Sequence, residues 1–504
     1  MLSALRGRDG CTTVPHPFFE NPRIVSSTAA SPDQPFSRDD TAFLGHPAGL
    51  GWLAFCEFWE RFSYYGMQGL LGLYLTKYLF LPEHITQVMG IDAGRRVVEF
   101  ITGPMTAFQF GSLVVGLYGG IVYLMPIFGG VIADRWLGRT RAIVLGASLM
   151  ALGHFLMAFE SGFLIAIACL LVGVGLFKGN IAAQVGALYR PGDKRNASAF
   201  QIFLLAVQIA VIVSPLVCGS LGEKVAWHWG FDAAGVGMLI GLITYLAGRK
   251  WLPPEPERKT AQKKLEQPPL TRAEWGRLAL LVGIIPILML TILGNQQIST
   301  GFPLWSDKHM DLVMFGWRIP TTWLQVVDAV VSLVTMLMSI AFWKWWSKTH
   351  REPDELIKMA IGTLIAAGGP GLMAIAGGIV DTTHQRVGFG WTLAYTIAND
   401  IGFANILPVG LALYSRVAPK QIVGLVIGIY YLHLSIGNTY VGWLAGLMER
   451  MPSAQFWGMH AALVALGGGL LLVVRVLFWR WLSPAAILTA GAPAVPDEIG
   501  RAHV

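Results

Sequence analysis

Twelve long apolar stretches follow one another along the chain, and they constrain its fold more than any other feature of the sequence. A helix needs about 20 apolar residues to cross a lipid bilayer, and each stretch reaches that length. The chain of 504 residues is only 13% charged, whereas soluble proteins average about 25% charged residues. The sequence therefore predicts an all-α polytopic membrane protein with spans at roughly 50–80, 108–133, 140–159, 162–188, 198–219, 231–251, 275–298, 322–346, 356–380, 391–415, 421–447 and 457–481.

A polar segment separates the first six apolar stretches from the last six. Residues 252–274 contain five prolines and several lysines and arginines, unlike the sequence on either side. Such a segment is typical of a polar linker between two six-helix halves. The predicted organisation is a disordered cytoplasmic tail over 1–48, a six-helix bundle over 49–251, a cytoplasmic linker over 252–274, a second six-helix bundle over 275–482 and a cytoplasmic tail over 483–504.

Basic residues are distributed unevenly between the predicted loops. If the N-terminus is inside, the short cytoplasmic loops carry about 20 lysines and arginines and the outer loops about seven. This asymmetry satisfies the positive-inside rule, so we expect a multi-pass protein of the cell membrane, the inner membrane in a bacterium, with both termini cytoplasmic. The net charge of +7 then reflects basic loops rather than nucleic-acid binding. The first outer loop, 81–107, is long enough for a short helix around Ala93–Phe100.

Residues that would indicate an enzyme or a metal site are scattered. Cys11, Cys56, Cys169 and Cys218 show no paired spacing, so the sequence predicts neither a disulfide framework nor a metal cluster. No nucleophile and base stand in a catalytic spacing. We therefore expect no enzymatic activity and no cofactor, in a protein that functions as a monomer in the lipid bilayer.

The first apolar stretch carries ionisable side chains where a bilayer would be. On insertion scales, a charge at a membrane helix centre costs roughly 2.5–3.5 kcal/mol, so such groups face a bundle interior or a water-filled cavity. Helical spacing places the polar side chains of this stretch on a single face. They are Glu57, Glu60, Arg61, Tyr64, Tyr65 and Gln68. One interpretation is a structural Glu–Arg pair that fastens two helices; the other is a proton and ligand site in a transport pathway.

Two segments resemble a known family of transporters. Residues 57–66, EFWERFSYYG, resemble the first-helix signature of the proton-dependent oligopeptide transporter family, a branch of the major facilitator superfamily. Residues 129–141, GGVIADRWLGRTR, resemble the loop between helices 2 and 3 of that superfamily. The resemblance extends from residue 50 to about 480 and implies the major facilitator fold, whose two halves rock about a central site. It also implies a proton-coupled symporter that imports di- and tripeptides, or peptide-like solutes, by alternating access.

The resemblance assigns roles to side chains of the N-terminal half. Glu57 and Glu60 would take up the coupling proton, while Arg61 and Lys178 would hold the substrate carboxylate. In the empty transporter Lys178 would pair with Glu57, because a lysine inside a membrane requires a partner. The alternative is a lysine that snorkels to the cytoplasmic end of its helix. Further contacts to the peptide are assigned to Tyr64, Tyr65, Tyr123 and Gln208.

Three residues are candidates for gating. Asp134 and Arg135, in the loop between helices 2 and 3, would belong to a charge cluster that breaks and re-forms as the halves move. Gln68 and Gln296, the latter also a candidate substrate contact, stand where many relatives have an arginine and a glutamate. Because both members of that apparent salt bridge are neutral here, we expect a Gln–Gln hydrogen bond in its place.

The C-terminal half departs from the family pattern where the amino end of a peptide would bind. Phe403 replaces the glutamate that holds the peptide ammonium group in relatives, and Leu407 replaces a serine. Asp400, one helical turn before Phe403, and Asp328, near the middle of the eighth span, are the acidic residues placed well inside this half. We expect one of them, Asp328 first, to hold the ammonium group. The alternative is that Asp328 is a buried hydrogen-bonding residue without ligand contact.

Phe403 also leaves a rival function open, namely proton-coupled transport of another small anionic solute. A peptide's ammonium group needs a counter-charge, and the usual one is missing. A non-transporting membrane receptor or scaffold is a further alternative. The charged face of the first helix and the lack of a sizeable soluble domain argue against it.

Overall fold

The structure is a computed structural model that describes residues 36–190, 192–255, 269–314, 316–419 and 421–483. Helices account for nearly all of the chain within these ranges. Helices α1 to α8 form the N-terminal half and span Ala48–Tyr74, Ile91–Thr102, Ala107–Ile132, Arg139–Leu156, Phe163–Ala187, Arg195–Ser214, Ser220–Lys224 and Trp227–Gly248.

Helices α9 to α16 form the C-terminal half. They span Arg272–Thr291, Leu293–Gln296, Gly301–His309, Leu324–Trp346, Glu355–Thr383, Gly390–Val417, Val423–Ala445 and Ser453–Leu482. Between α11 and α12, strands β1 (Val313–Met314) and β2 (Trp317–Arg318) form a small antiparallel hairpin.

The long helices lie at the positions of the predicted spans. Nine helical segments of the described ranges are long and apolar enough to cross a membrane by length and composition. Helices α1, α4 and α15 lie at the three remaining predicted spans. The all-α polytopic fold is thus confirmed, and the helix positions agree with twelve spans. The short helix predicted around Ala93–Phe100 is also confirmed, as α2.

Each half has a hydrophobic core of its own. The largest cluster of buried apolar side chains runs from Leu50 to Leu252 and lies entirely within the N-terminal half. Separate clusters fill the C-terminal half. The two halves also meet directly where α3 crosses α15: a Cβ atom on Gly116 would lie 2.6 Å from the carbonyl oxygen of Asn438 and 2.7 Å from the Cα atom of Gly442. Glycine at this crossing therefore permits close approach of the two backbones.

The segment that precedes α1 packs against the N-terminal half. The backbone N–H of Phe36 donates to the carbonyl oxygen of Lys250 at 3.1 Å, and the Arg195 guanidinium donates to the carbonyl oxygen of Arg38 at 2.8 Å. Asp40 accepts a hydrogen bond from the N–H of Ala48 at 2.8 Å, at the start of α1. Residues 36–47 are therefore ordered, in contrast to the predicted disorder, because they satisfy backbone groups at this end of the bundle. Residues 1–35, most of the predicted linker and the tail after 483 lie outside the described residues.

Candidate transport site between the two halves

The polar links between the two halves lie at one end of the bundle, the end away from Phe36 and Ser483, which we call the far end. There the Lys77 ammonium pairs with the Asp307 carboxylate at 2.5 Å, and the Arg450 guanidinium donates to the Gln109 side chain at 3.0 Å. Among the described residues, no hydrogen bond or ion pair joins the halves at the opposite end. The halves are thus closed against each other at the far end.

A second link at the far end joins a carboxylate to the N-terminus of a helix. The Glu223 carboxylate of the N-terminal half accepts hydrogen bonds from the backbone N–H groups of Thr321 and Thr322, each at 2.8 Å. These residues form the turn that leads into α12. A carboxylate is favoured there because the N–H groups at a helix start have no partners within the helix. Glu223 therefore anchors the start of α12 to the opposite half.

The charged face of α1 forms a compact buried cluster. The Arg61 Nε atom lies 3.2 Å from Glu57 Oε1, and Arg61 Nη2 donates to Glu60 Oε1 at 2.6 Å. All three side chains are buried, with 4% or less of each residue exposed. Two carboxylates facing one guanidinium leave one negative charge uncompensated within the cluster. This arrangement suits proton uptake, since one bound proton neutralises it.

Aromatic rings surround the guanidinium. The Tyr64 ring centroid lies 5.3 Å from the Arg61 guanidinium carbon, and the Tyr65 ring packs edge-on against Tyr64 at 5.1 Å. The Tyr118 hydroxyl of α3 is buried without a hydrogen-bond partner among the described residues. In the sequence, Tyr118 is a tyrosine within an apolar stretch, and this pattern alone does not distinguish a packing role from a binding role.

Lys178 does not pair with Glu57 as predicted. Its Nζ atom lies over the Tyr123 ring, 5.5 Å from the centroid, and it forms no ion pair with any described residue. Arg61 binds both carboxylates instead, because it follows Glu57 by four residues and Glu60 by one on the same helix. Its planar guanidinium group can donate to two acceptors at once. Lys178 remains close enough to Glu57 and Glu60 for long-range electrostatic interaction. Its ammonium group therefore keeps its hydrogen-bonding capacity.

The predicted glutamine pair is not formed either. Gln68 and Gln296 are both partly buried, and no hydrogen bond joins them in the described structure. Gln325 of α12 approaches α1 instead: its Oε1 atom lies 2.8 Å from the position of a Cβ on Gly69. Sequence reasoning did not single out Gln325, although its spacing of three residues from Asp328 places both on one face of α12. Gln208 of α6 is partly buried and has no side-chain bond to the cluster in the described structure.

Asp134 and Arg135 are exposed at the end opposite the far end. Neither forms an ion pair with a described residue. The acidic partner of this loop is Glu255, which sequence reasoning did not single out. Its carboxylate accepts a hydrogen bond from the N–H of Thr140 at 2.5 Å, at the start of α4. A Cβ on Gly138 would collide with the same carboxylate, so the glycine of the loop motif makes room for Glu255.

The two acidic residues of the C-terminal half lie on neighbouring helices, Asp328 on α12 and Asp400 on α14. Asp400 is 2% exposed, its Oδ1 atom accepts a weak hydrogen bond from the Asn295 amide at 3.5 Å, and its Oδ2 atom has no partner among the described residues. Asp328 presents a buried Oδ1 atom that likewise has no described partner. Sequence reasoning proposed the two residues as alternatives, and both remain candidates.

The isolated histidine of α15 has a packing environment. His433 is fully buried, and its Nδ1 atom contacts the carbonyl oxygen of Tyr430. Its ring lies 4.6 Å from the Tyr430 ring. These contacts are those of a packing residue, and the Nε2 atom has no hydrogen-bond partner among the described residues.

Two helical halves that surround buried charges are the architecture of a secondary transporter. The family model described as the POT family matches residues 140–268 and 276–461, more than half of the chain. The chain therefore belongs to the POT family, as the first-helix signature indicated.

Similar proteins cover nearly the whole chain. A protein of Yersinia enterocolitica described as peptide transporter YePEPT is 28% identical over 86% of this chain and 94% of its own length. A di-/tripeptide transporter of Lactococcus lactis subsp. cremoris is 25% identical over 88% of this chain and 98% of its own.

The fold is shared with solved structures. A crystal structure of a peptide transporter POT with sulfate has a TM-score of 0.73 at 23% identity, over 87% of this chain and 96% of that one. A POT family transporter in complex with 5-aminolevulinic acid has a TM-score of 0.71 at 23% identity, over 86% and 98%.

Proposed function

We propose that this protein is a proton-coupled symporter that imports di- and tripeptides, or peptide-like solutes, by alternating access. The observation that carries the proposal is the buried Glu57–Glu60–Arg61 cluster on α1, in a bundle whose polar links between the halves lie, among the described residues, at one end. The relatives from Yersinia and Lactococcus are described as peptide transporters, which supports a peptide as the solute.

Proton uptake and carboxylate binding are coupled through Arg61. When Glu57 and Glu60 are both ionised, the guanidinium is engaged on both sides. Protonation of either glutamate frees donors of Arg61, which can then bind the substrate carboxylate. Lys178 supplies a second cation for the substrate carboxylate. It does not first have to dissociate from a glutamate, since it has no described ion-pair partner. Proton and substrate therefore favour each other's binding, which is a thermodynamic linkage.

The amino end of the peptide is assigned to the C-terminal half. The Gln325 side chain of α12 reaches Gly69 of α1, so α12 packs beside the helix that carries Arg61. Asp328 lies one helical turn after Gln325. We assign the ammonium group to Asp328 or Asp400 and the carboxylate to Arg61.

The remaining predicted residues complete the pathway. The peptide backbone is assigned to polar side chains that tolerate many sequences, namely Tyr64, Tyr65, Tyr123, Gln208 and Gln296. Gln68 lies beside the Gln325 contact, and Asp134 and Arg135 would gate the end opposite the far end. With both termini cytoplasmic, the far end faces outward. The protein is a monomer of the cell membrane, uses protons as the coupling ion and performs no enzymatic step.

Competition in liposomes tests the substrate class. Uptake of labelled dialanine, driven by an imposed pH gradient, should be inhibited by a panel of di- and tripeptides and unaffected by free alanine or tetra-alanine. Uptake that no peptide inhibits would contradict the proposal.

One observation favours a second candidate, transport of another anionic solute. Phe403 stands where relatives place a glutamate, so the ammonium site depends on Asp328 and Asp400 alone. If N-acetyl-dialanine competes as well as dialanine does, the solute needs no ammonium group and this candidate gains support.

A further inference from the structure

The outer surface of the C-terminal half carries an apolar groove that shares no residue with the transport site. Its volume is about 430 Å³, within the range of pockets that bind small ligands. The part of its lining that belongs to α12 follows helical spacing, so one face of that helix is turned toward the groove. These residues are Thr335, Met338, Ser339, Phe342, Trp343 and Trp346. Ile361 and Ile365 of α13 and Ile401 and Asn405 of α14 complete the lining.

Asn405 joins three helices at the floor of the groove. Its Oδ1 atom accepts hydrogen bonds from the Trp343 indole at 2.6 Å and from the Ser339 hydroxyl at 3.1 Å. Its amide nitrogen donates to the carbonyl oxygen of Ile401 at 2.8 Å, and a Cβ on Gly362 of α13 would lie 2.7 Å from its own Cβ atom. The polar atoms of the floor thus have partners within the protein, and the groove offers apolar contact to an occupant.

The groove opens onto the surface that faces lipid. Met338 is 60% exposed and Ile361 41%, and both belong to helices that are long and apolar enough to cross a membrane. The exposed surface of such a helix lies in the hydrocarbon region of the bilayer. The occupant of the groove therefore has a hydrocarbon part, which an acyl chain supplies.

Basic side chains lie where the groove reaches the loop between α12 and α13. Trp346 and Pro353 line this end of the groove. The Trp346 indole donates to the carbonyl oxygen of Arg351 at 3.4 Å and stacks on the His350 ring at 4.3 Å. Arg351 and Lys348 are exposed, and neither forms an ion pair with a described residue. Two cations without a described counter-charge thus lie at this end of the groove, which we call its mouth.

The acidic side chains near the mouth are already paired with bases. They are Glu352, which pairs with Lys358, Asp354, which lies 2.5 Å from Arg475 Nε, and Glu355, which lies 3.0 Å from Arg416 Nε. The mouth therefore keeps a positive charge that complements an anionic group. Because α12 starts at the far end, the mouth lies at the opposite end, the cytoplasmic one in the predicted orientation. Basic pockets between membrane helices on that side bind anionic lipid headgroups.

We propose that this groove binds one phospholipid with an anionic headgroup from the cytoplasmic leaflet. One acyl chain lies between α12 and α13 over Asn405, and the phosphate group contacts Arg351 and Lys348. The Arg351 guanidinium can donate two parallel hydrogen bonds to a phosphate, which gives the mouth a preference for that group. The bound lipid bridges α12 and α13, whichever solute is transported.

Photo-crosslinking in nanodiscs of phosphatidylcholine tests the site. A trace of phosphatidylglycerol with a photoreactive acyl chain is added to the full-length protein, and labelled peptides are identified by mass spectrometry. We expect labels concentrated on the groove-lining residues of α12 and α13, and we expect excess unlabelled phosphatidylglycerol to suppress them. A photoreactive phosphatidylcholine should label the same residues severalfold less. Labels spread evenly over the exposed helices would overturn the site, and equal labelling by the two lipids would overturn the anionic headgroup.

Two substitutions separate a headgroup contact from general surface charge. Arg351→Ala should lower the preference for phosphatidylglycerol over phosphatidylcholine about fivefold, as expected for one basic residue near an anionic lipid. Lys344→Ala is the matched control, because Lys344 is also exposed near the end of α12 but lies on the helix face opposite the groove. It should leave the preference nearly unchanged. Equal losses in the two variants would assign the preference to surface charge and overturn the headgroup contact.

A third substitution tests the apolar part of the site. Ile365→Trp places a larger side chain in the groove, and it should reduce labelling of the lining by both photoreactive lipids. The melting temperature of each variant checks that the protein is folded. Undiminished labelling in a folded Ile365→Trp variant would show that the acyl chain does not occupy the groove.

Discussion

Replacement of Lys178 by alanine separates a binding role from a structural one. The Lys178 ammonium forms no ion pair with a described residue, so its removal breaks no salt bridge. Its contact with the Tyr123 ring at 5.5 Å contributes about 0.5–2 kcal/mol, and we therefore expect Lys178→Ala to fold. The charge-assisted hydrogen bond to a substrate carboxylate contributes about 1.5–3 kcal/mol. At 1.4 kcal/mol per factor of ten, dialanine should bind roughly ten- to a hundredfold more weakly.

The assay compares dialanine with its C-terminal amide, which carries the same ammonium group and no carboxylate. Lys178→Ala should weaken binding of the acid by the factor above and leave the amide within about threefold. The matched control is Lys250→Ala, because Lys250 makes the same type of contact with Trp251, at 4.1 Å, away from the site. Equal losses for acid and amide would refute direct contact between Lys178 and the carboxylate.

Three further predictions concern coupling, conformation and pH. Glu57→Gln and Glu60→Gln should each abolish uptake driven by a pH gradient and retain counterflow, because exchange requires no net proton movement. Asp307→Asn removes the partner of Lys77, and exposed ion pairs contribute about 0.2–1 kcal/mol each. The equilibrium between the closed and open conformations of the far end should therefore shift severalfold toward the open one, as measured by spin-label distances. Burial lowers the pKa of His46, which lies before the start of α1. The unfolded chain then binds more protons below about pH 6.5, so stability falls with acidification, and His46→Gln should reduce the fall in melting temperature from pH 7 to 5.5.

Each of these predictions has a clear contrary result. Accumulation of dialanine by both glutamine variants would remove the α1 glutamates from coupling. Unchanged spin-label distances in Asp307→Asn would show that the other far-end links suffice for closure. An identical pH dependence of melting in His46→Gln would assign the acid sensitivity to other groups.

Local periodicity was sufficient to predict the charged face of α1. Glu57, Glu60 and Arg61 lie within one helical turn, so their encounter requires only that the segment be helical. The twelve apolar stretches likewise predicted the positions of the spans, because bilayer thickness fixes the length of each helix.

Contacts between distant segments could not be predicted in this way. Lys178 was expected to reach Glu57, but Arg61 competes for the same carboxylate from the same helix. Asp328 and Asp400 were alternatives in the sequence, and that their helices α12 and α14 pack beside each other is visible only in the fold. The Gln325 contact with α1 depends equally on how the two halves dock, and no single-helix pattern contains that information.

The most direct test of the central claim is simultaneous measurement of solute and proton fluxes in liposomes that contain only this protein. With an acidic exterior and the membrane potential clamped, labelled dialanine should accumulate inside above its external concentration while the lumen acidifies. Glu60→Gln liposomes should show neither effect. Dialanine that merely equilibrates across the membrane, with no change in luminal pH, would contradict proton-coupled peptide symport.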